Sequence, residues 1–400
     1  MSRVLTLPAG ATTASPSGQG LPIVAALALL IGGMVWIGAD YGFRHAALLP
    51  LGAALGLTLH HAAFGFTAAF RALVSHGDAR GLRAQMLMLA AATLLFAPVL
   101  AAGQLFGCPI GGAFAPASLA VPMGAFVFAI GMQLAGGCGS GCLYHLGAGT
   151  TSMAIALAAF VVGSMIATLH MAFWADMPSL GVVTLGESLG WPRAVAVQLA
   201  IFAAIAALCW WLERRRSPSS PASTTNAGWR RVVSGPWPLW VGALLLALFN
   251  VLTLVLAGHP WTITWAFSLW GAKALAATGY DIARIPFWSG DFQQAAVAAP
   301  VLMDTTSVMD IGLVLGALLA AGLAGRFSPK RRIDARRAAA AIAGGLLLGY
   351  GARVAFGCNI GAYFSGIAST SLHGWLWGVA ALLGTPVGVW LRDRVDPIRH

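Results

Sequence analysis

Apolar residues run along this chain in blocks of roughly twenty, the length of a membrane-spanning helix, and polar or basic residues fall between the blocks. The longest stretch, Ala84 to Ala175, contains no Asp, Glu, Lys or Arg. The pattern predicts crossings over 21–39, 46–70, 84–106, 117–137, 151–174, 194–212, 236–257, 306–325, 338–356 and 372–391. Between the seventh and eighth, Trp261–Tyr280 is interrupted by glycine and one lysine, which predicts a re-entrant or surface element. Asp281–Ala299 is expected to stay outside the bilayer. The predicted fold is all-α: a polytopic integral membrane protein with about ten full transmembrane crossings and further broken segments.

One block occurs twice. At an offset of 220 residues, Gly124, Gly131, Gly137, Cys138 and Gly141 coincide with Gly344, Gly351, Gly357, Cys358 and Gly361. In both copies a small-residue apolar run leads into a Gly-Cys-x-x-Gly break. The predicted topology sends the first copy outside to inside and the second inside to outside, so the halves form an inverted repeat with broken or re-entrant helices. Such repeats place their sites near the midplane, where interrupted helices meet. Non-helical backbone survives there only when buried or lining a polar cavity. The expectation is a central path lined by Cys138 from one half and Cys358 from the other, with Gly137 and Gly357 permitting the breaks.

Composition agrees: 9% of residues are charged and 58% hydrophobic, against roughly 25% charged in soluble domains. The net charge of +11 does not imply nucleic acid, because most cations fall in four clusters. These are Arg71–Arg83, Arg214–Arg231, Arg326–Arg337 and Arg392–Arg399, with Arg3 beside them. The positive-inside rule puts them, and both termini, in the cytoplasm. The chain divides into a disordered tail over 1–20, a first transmembrane half over 21–212, a cytoplasmic Ser/Pro/Thr-rich linker over 213–235, a second half over 236–391 and a cytoplasmic tail over 392–400. Five cysteines, nearly all in apolar runs, do not form an extracellular disulfide framework, and the 15 tryptophans suggest interfacial belts. No phosphate-binding nucleotide loop is present, so ATP-driven pumping is not expected; the leading expectation is a non-enzyme with no cofactor.

Several residues carry candidate chemistry. Arg353 lies in an otherwise uncharged helix five residues before Cys358; it is either an anion attractor or a structural partner for Asp304 or Asp310. Lys273 is either part of an outer vestibule or an interfacial lysine snorkelling to the headgroups. Cys142 follows Cys138 by four residues, with His145 three further on. Three local ligands on a glycine-broken backbone make a second pathway thiol or a packing residue a better reading than a metal site, so none is assigned. His60 and His61 adjoin Gly65 in the first broken element, where a pathway role for His61 is open. Cys209 and His373 read as packing residues.

GGCGSGCLYHLGAG (136–149) and GARVAFGCNIGAYFSGIASTSLHGW (351–375), with FTAAFR (66–71), the WGAK…GYD…PFW run (270–288) and DTTSVMD (304–310), resemble the signature segments of the YeeE/YedE family. The resemblance spans roughly residues 45–391. It implies a bacterial inner-membrane permease for sulfur compounds, thiosulfate above all, with some members linked to selenium. It also implies that Cys138 and Cys358 hydrogen-bond the substrate's sulfur, with Asn359 beside the second, and that a cytoplasmic sulfurtransferase or small thiol-carrier protein is a partner. Where the family often has a cysteine, this chain has Gly65 in AAFGFTAAFR, and Cys108 is too distant along the chain for simple replacement.

The chemistry asked of the path is modest. A dry path imposes a large desolvation cost on a small dianion, so donors must be offered without binding it too tightly. Thiols are weak, polarizable donors, and backbone N–H groups at helix breaks add more. Two function classes remain: a permease for a small sulfur-containing anion, and a membrane thiol-redox or sulfur-relay protein using the same cysteines. A selenium-compound transporter is a variant of the first.

Overall fold

The computed structural model of the protein describes residues 19–215, 229–329 and 333–395. The predicted N-terminal tail up to residue 18, residues 216–228 of the linker, Lys330–Arg332 and the last five residues of the C-terminal tail lie outside the described residues. Among the described residues ten stretches are long and apolar enough to cross a membrane. In chain order the helices are α1 (Gly20–Tyr41), α2 (Leu48–His61), α3 (Phe66–His76), α4 (Arg80–Ala102), α5 (Ala120–Ala135), α6 (Gly139–Gly147), α7 (Thr151–Leu169), α8 (Trp191–Arg215), α9 (Leu239–Ala257), α10 (Thr264–Ala276), α11 (Thr305–Leu323), α12 (Ala335–Val354) and α13 (Leu372–Val395). A wide π-type turn, Asn359–Phe364, precedes α13.

The second predicted crossing is two helices, α2 and α3, interrupted over 62–65, where Ala63 takes a positive φ of 47°. Apolarity continues through the break, so hydropathy alone does not reveal it. The run predicted as re-entrant contains α10, followed by short 3-10 turns and the helix Asp291–Ala298.

The helix packing repeats itself when α1–α7 are exchanged with α8–α13. α2 packs on α11 and α9 on α4; α1 packs on α11 and α8 on α4; α12 packs on α7 and α13 on α5; α10 packs on α7 and α3 on α13. At the centre α5 and α12 cross antiparallel, and the repeat's own glycines make that contact. A side chain on Gly131 would begin 2.7 Å from the Gly344 carbonyl oxygen, and one on Gly351 2.5 Å from that of Gly124. Each glycine meets the other half's counterpart of its neighbour, as a twofold axis between the helices requires. Close backbone approach through small residues holds such helices together where lipid removes the hydrophobic drive.

The starts of α4 and α12 and the ends of α8 and α13 gather arginines on one face, here called the basic face. Arg83 and Glu213 pair across α4 and α8 at 3.0 Å. Arg71 donates to the Gln133 side chain at 2.9 Å and Arg392 to its carbonyl at 2.8 Å, tying the end of α5 to α3 and α13. Two small antiparallel ladders, Gln104–Leu105 with Cys108–Pro109 and Pro116–Ser118 with Ser179–Val182, cover the opposite face. The outer flanks are studded with exposed Leu, Val and Trp, the surface that lipid would cover. The tryptophans divide: Trp36, Trp240 and Trp390 are exposed, whereas Trp261, Trp288 and Trp377 are fully buried in the core, so the belt reading holds for only part of the set.

Candidate functional site

Two matched breaks meet inside the bundle. Cys138 is the N-cap of α6 with φ −86° and ψ −170°; Cys358 is the N-cap of the π-type turn with φ −110° and ψ −164°. Each cysteine is extended, and each is preceded by a glycine that folds back over the turn that follows. A Cβ on Gly137 would come within 3.3 Å of the Cys142 amide nitrogen, and one on Gly357 within 2.8 Å of the Ala362 nitrogen. Gly357 also has φ +150°, a conformation that L side chains rarely adopt.

Both thiols are buried, at 2% and 1% exposure. Cys358 Sγ lies 3.6 Å from the point where a side chain on Gly139 would begin, so the second half's thiol rests on the residue after the first half's. The Cys138 sulfur is 3.4 Å from Ser140 Oγ, and the Cys358 sulfur accepts from the Ile360 amide at 3.4 Å. The Thr67 hydroxyl, in the first turn of α3, lies beside Cys138, buried and with no hydrogen-bond partner. Asn359, the residue matching Gly139 in the other half, is fully buried with neither amide atom hydrogen-bonded. Buried amides without partners are rare in native cores; this one offers both a donor and an acceptor.

A cavity leads inward from each face. On the opposite face a cavity of about 500 Å³ is walled by His259, Trp265, Phe292, Asp304 and Thr306 and reaches Thr262. On the basic face one of about 230 Å³, walled by Ala69, Asp78, Arg80 and Gln85, reaches Gly65. Thr262 Oγ1 is 3.0 Å from the Cβ position of Gly361, and the Tyr144 hydroxyl is 3.5 Å from that of Gly65. Gly65 and Thr262 are themselves counterparts, because Phe64–Phe70 (FGFTAAF) and Trp261–Phe267 (WTITWAF) share Thr, Ala and Phe at an offset of 197. That weak second repeat is the signal that locates Thr262, which sequence reasoning missed.

The remaining candidates lie around this centre. Cys142 is buried one turn into α6, and all five cysteines are free thiols. Cys108 is distant, on the opposite-face hairpin, where Arg44 Nη1 approaches its sulfur at 3.1 Å. Arg353 pairs with neither Asp304 nor Asp310 among the described residues; its guanidinium lies 5.0 Å over the Phe287 ring and its Nε has no partner. Asp304 instead caps α11, accepting from the Ser307 amide at 2.8 Å and from Trp265 Nε1 at 3.1 Å. Lys273 donates to the carbonyls of Val297, at 2.7 Å, and Ala299, strapping α10 to the wall of the opposite-face cavity. His61 packs on Trp237 with ring centroids 5.1 Å apart, its Nε2 unpartnered. His373 is buried and bonded to Ser371 at 2.7 Å, and Cys209 is buried at the α4–α8 contact. Among the described residues no group of three or more His, Cys, Asp or Glu is gathered as a metal site would need.

The profile of a family described as sulphur transport matches residues 61–387. The thiosulfate transporter TsuA of Spirochaeta thermophila is 25% identical over 386 residues, covering 90% of this chain and 100% of that protein. The thiosulfate transporter TsuA of Escherichia coli is 24% identical over 354 residues, 86% of this chain and 93% of that one. The protein named "Probable transporter YedE" of Salmonella typhimurium is 32% identical over 162 residues, 40% of this chain and 37% of its own length.

Proposed function

This chain belongs to the sulphur transport (YeeE/YedE) family of multi-pass membrane transporters, which are not enzymes, and from that premise we propose that it is a permease carrying thiosulfate past Cys138 and Cys358. The observation that carries the proposal is that Cys358 Sγ faces Gly139 across the space a side chain there would fill, with two cavities that reach the matched residues Gly65 and Thr262. In this reading the basic face is cytoplasmic in a bacterial inner membrane, both termini included, and the anion enters at Thr262 and leaves at Gly65. The arginines of the basic face support this direction for the exit. A sulfurtransferase or thiol carrier would meet the anion there.

The work is done by weak donors in sequence. Thr262 and the unpartnered Asn359 amide are placed to receive the anion as it sheds water. The two thiols then offer S–H donors and polarizable contact to the soft terminal sulfur, and Thr67 and Ser140 follow on the exit side. No single group binds strongly enough to trap the ion, a condition for conduction. Nothing in the arrangement favours covalent sulfur transfer, since each thiol is capped by a hydroxyl or an amide rather than by a base.

The test is uptake of radiolabelled thiosulfate in cells lacking other sulfate and thiosulfate permeases. The permease reading expects uptake that depends on this chain and survives, reduced, in Cys138→Ser. Complete loss in the serine variant with normal membrane insertion would favour thiol exchange instead.

A further inference from the structure

Asp310 is a buried carboxyl that the path described so far does not use. It lies on α11, fully buried, and neither carboxyl oxygen has a hydrogen-bond partner. Its neighbour Asp304 is spent on capping the same helix. Thr306, four residues earlier, lines the opposite-face cavity, so at about 1.5 Å per residue Asp310 stands about 6 Å deeper on the same helix face. α11 packs on α6, the helix that Cys138 caps, with Gly147 at the end of α6 set against the Val314 carbonyl, one turn beyond Asp310. The carboxyl therefore lies on α11 between Thr306, which lines the cavity, and the contact with the cysteine-capped helix.

Among the described residues no group is bonded to the carboxyl to balance its charge. The elements packed on α11 bring Cys142, Tyr144 and His145 on α6, His60 and His61 on α2, and Lys273 on α10. Among the described side chains, Asp40 and Tyr41 on α1 and Arg231 in the short helix Trp229–Ser234 complete the titratable groups on these elements. None is bonded to the Asp310 carboxyl, and Lys273 is held by two carbonyls. An isolated carboxylate in a dry interior carries a large desolvation cost, and a passing dianion would meet it as a like charge. One bound proton removes both costs.

We propose that Asp310 is a proton-binding site that couples anion passage to proton entry. The proton comes from the opposite-face cavity past Thr306, neutralises the carboxyl while the anion passes Cys358, and leaves towards the basic face after it. Only an O–H bond forms and breaks, and the transported charge is reduced by one for each proton carried. The inference rests on the permease reading.

The experiment uses the full chain in liposomes with radiolabelled thiosulfate, with and without an inward proton gradient of one unit. For the wild type we expect about tenfold greater accumulation with the gradient, the factor that one pH unit supplies to a one-proton coupling, and loss of that gain on adding a protonophore. In Asp310→Asn the ratio of accumulation with and without the gradient should fall to one, while Asp310→Glu should keep part of it. A pH dye outside the vesicles reads the same event without any variant: adding thiosulfate to wild-type vesicles should make the medium more alkaline. Thiosulfate uptake with no gradient response and no dye signal would overturn the proposal, as would an Asp310→Asn variant with the wild-type ratio. If the wild type carried no thiosulfate under any gradient, the permease reading itself would fall, an outcome distinct from uncoupled uptake.

Discussion

Cys358 Sγ stands 3.6 Å from the Cβ position of Gly139, with Ile263 and Phe160 each 3.7 Å from the same point. One thiol from the second half thus closes on the residue following the thiol of the first. A methyl group there makes ordinary contacts and clashes with nothing, yet it fills the space between the two breaks. Gly139→Ala should therefore fold normally, with stability changed by no more than about 1 kcal/mol, while thiosulfate uptake falls severely. Expression and melting in detergent, measured beside uptake, check both halves of that statement.

The thiols should tolerate oxygen better than carbon. Serine at position 138 or 358 keeps a donor of similar reach, whereas alanine removes it. A hydrogen bond of about 1 kcal/mol corresponds to roughly a fivefold change in rate. Uptake by each alanine variant should fall below that of the matching serine variant by about that factor, or more for the pair together, as initial uptake rates will show.

Gly65 has room for the thiol that the family often carries. Its φ of −107° suits any residue, and its Cβ position meets only Ala68 and the Tyr144 hydroxyl, both at 3.5 Å. Gly65→Cys should insert and fold as the wild type does and transport thiosulfate at least as fast. Gly65→Leu, filling the floor of the basic-face cavity, should block it. The same uptake assay distinguishes the two.

The breaks should be unequally sensitive to a methyl group. Gly357 combines φ +150° with a Cβ position 2.8 Å from the Ala362 nitrogen, whereas Gly137 has ordinary φ and 3.3 Å of clearance. Gly357→Ala should cost about 2–4 kcal/mol or prevent folding, and Gly137→Ala distinctly less. Thermal unfolding in detergent gives the order.

The cysteine-bearing breaks were legible because duplication marks them: glycines 124 and 131 recur at 344 and 351, and the pairs turn out to pack against each other. The α2–α3 break was legible only as a broken element around Gly65, not in its position, since Ala62 to Phe64 are apolar and a positive φ at Ala63 has no sequence signature. Charges in apolar runs were visible, but their partners were not. Arg353 lies over Phe287, and Lys273 reaches carbonyls 24 and 26 residues away, contacts that only the folded chain brings about. DTTSVMD displayed two aspartates of equal promise. Helix register decides between them, placing Asp304 at the cap and Asp310 inside.

The central claim, that both thiols border one anion path, is tested most directly by protection from labelling. In a variant whose other cysteines, 108, 142 and 209, are replaced, small methanethiosulfonate reagents should reach Cys138 faster from the basic face and Cys358 faster from the opposite face. Thiosulfate should slow both reactions at the concentrations that support uptake. Labelling of either thiol that thiosulfate leaves unchanged, or two thiols inert from both sides, would contradict the account.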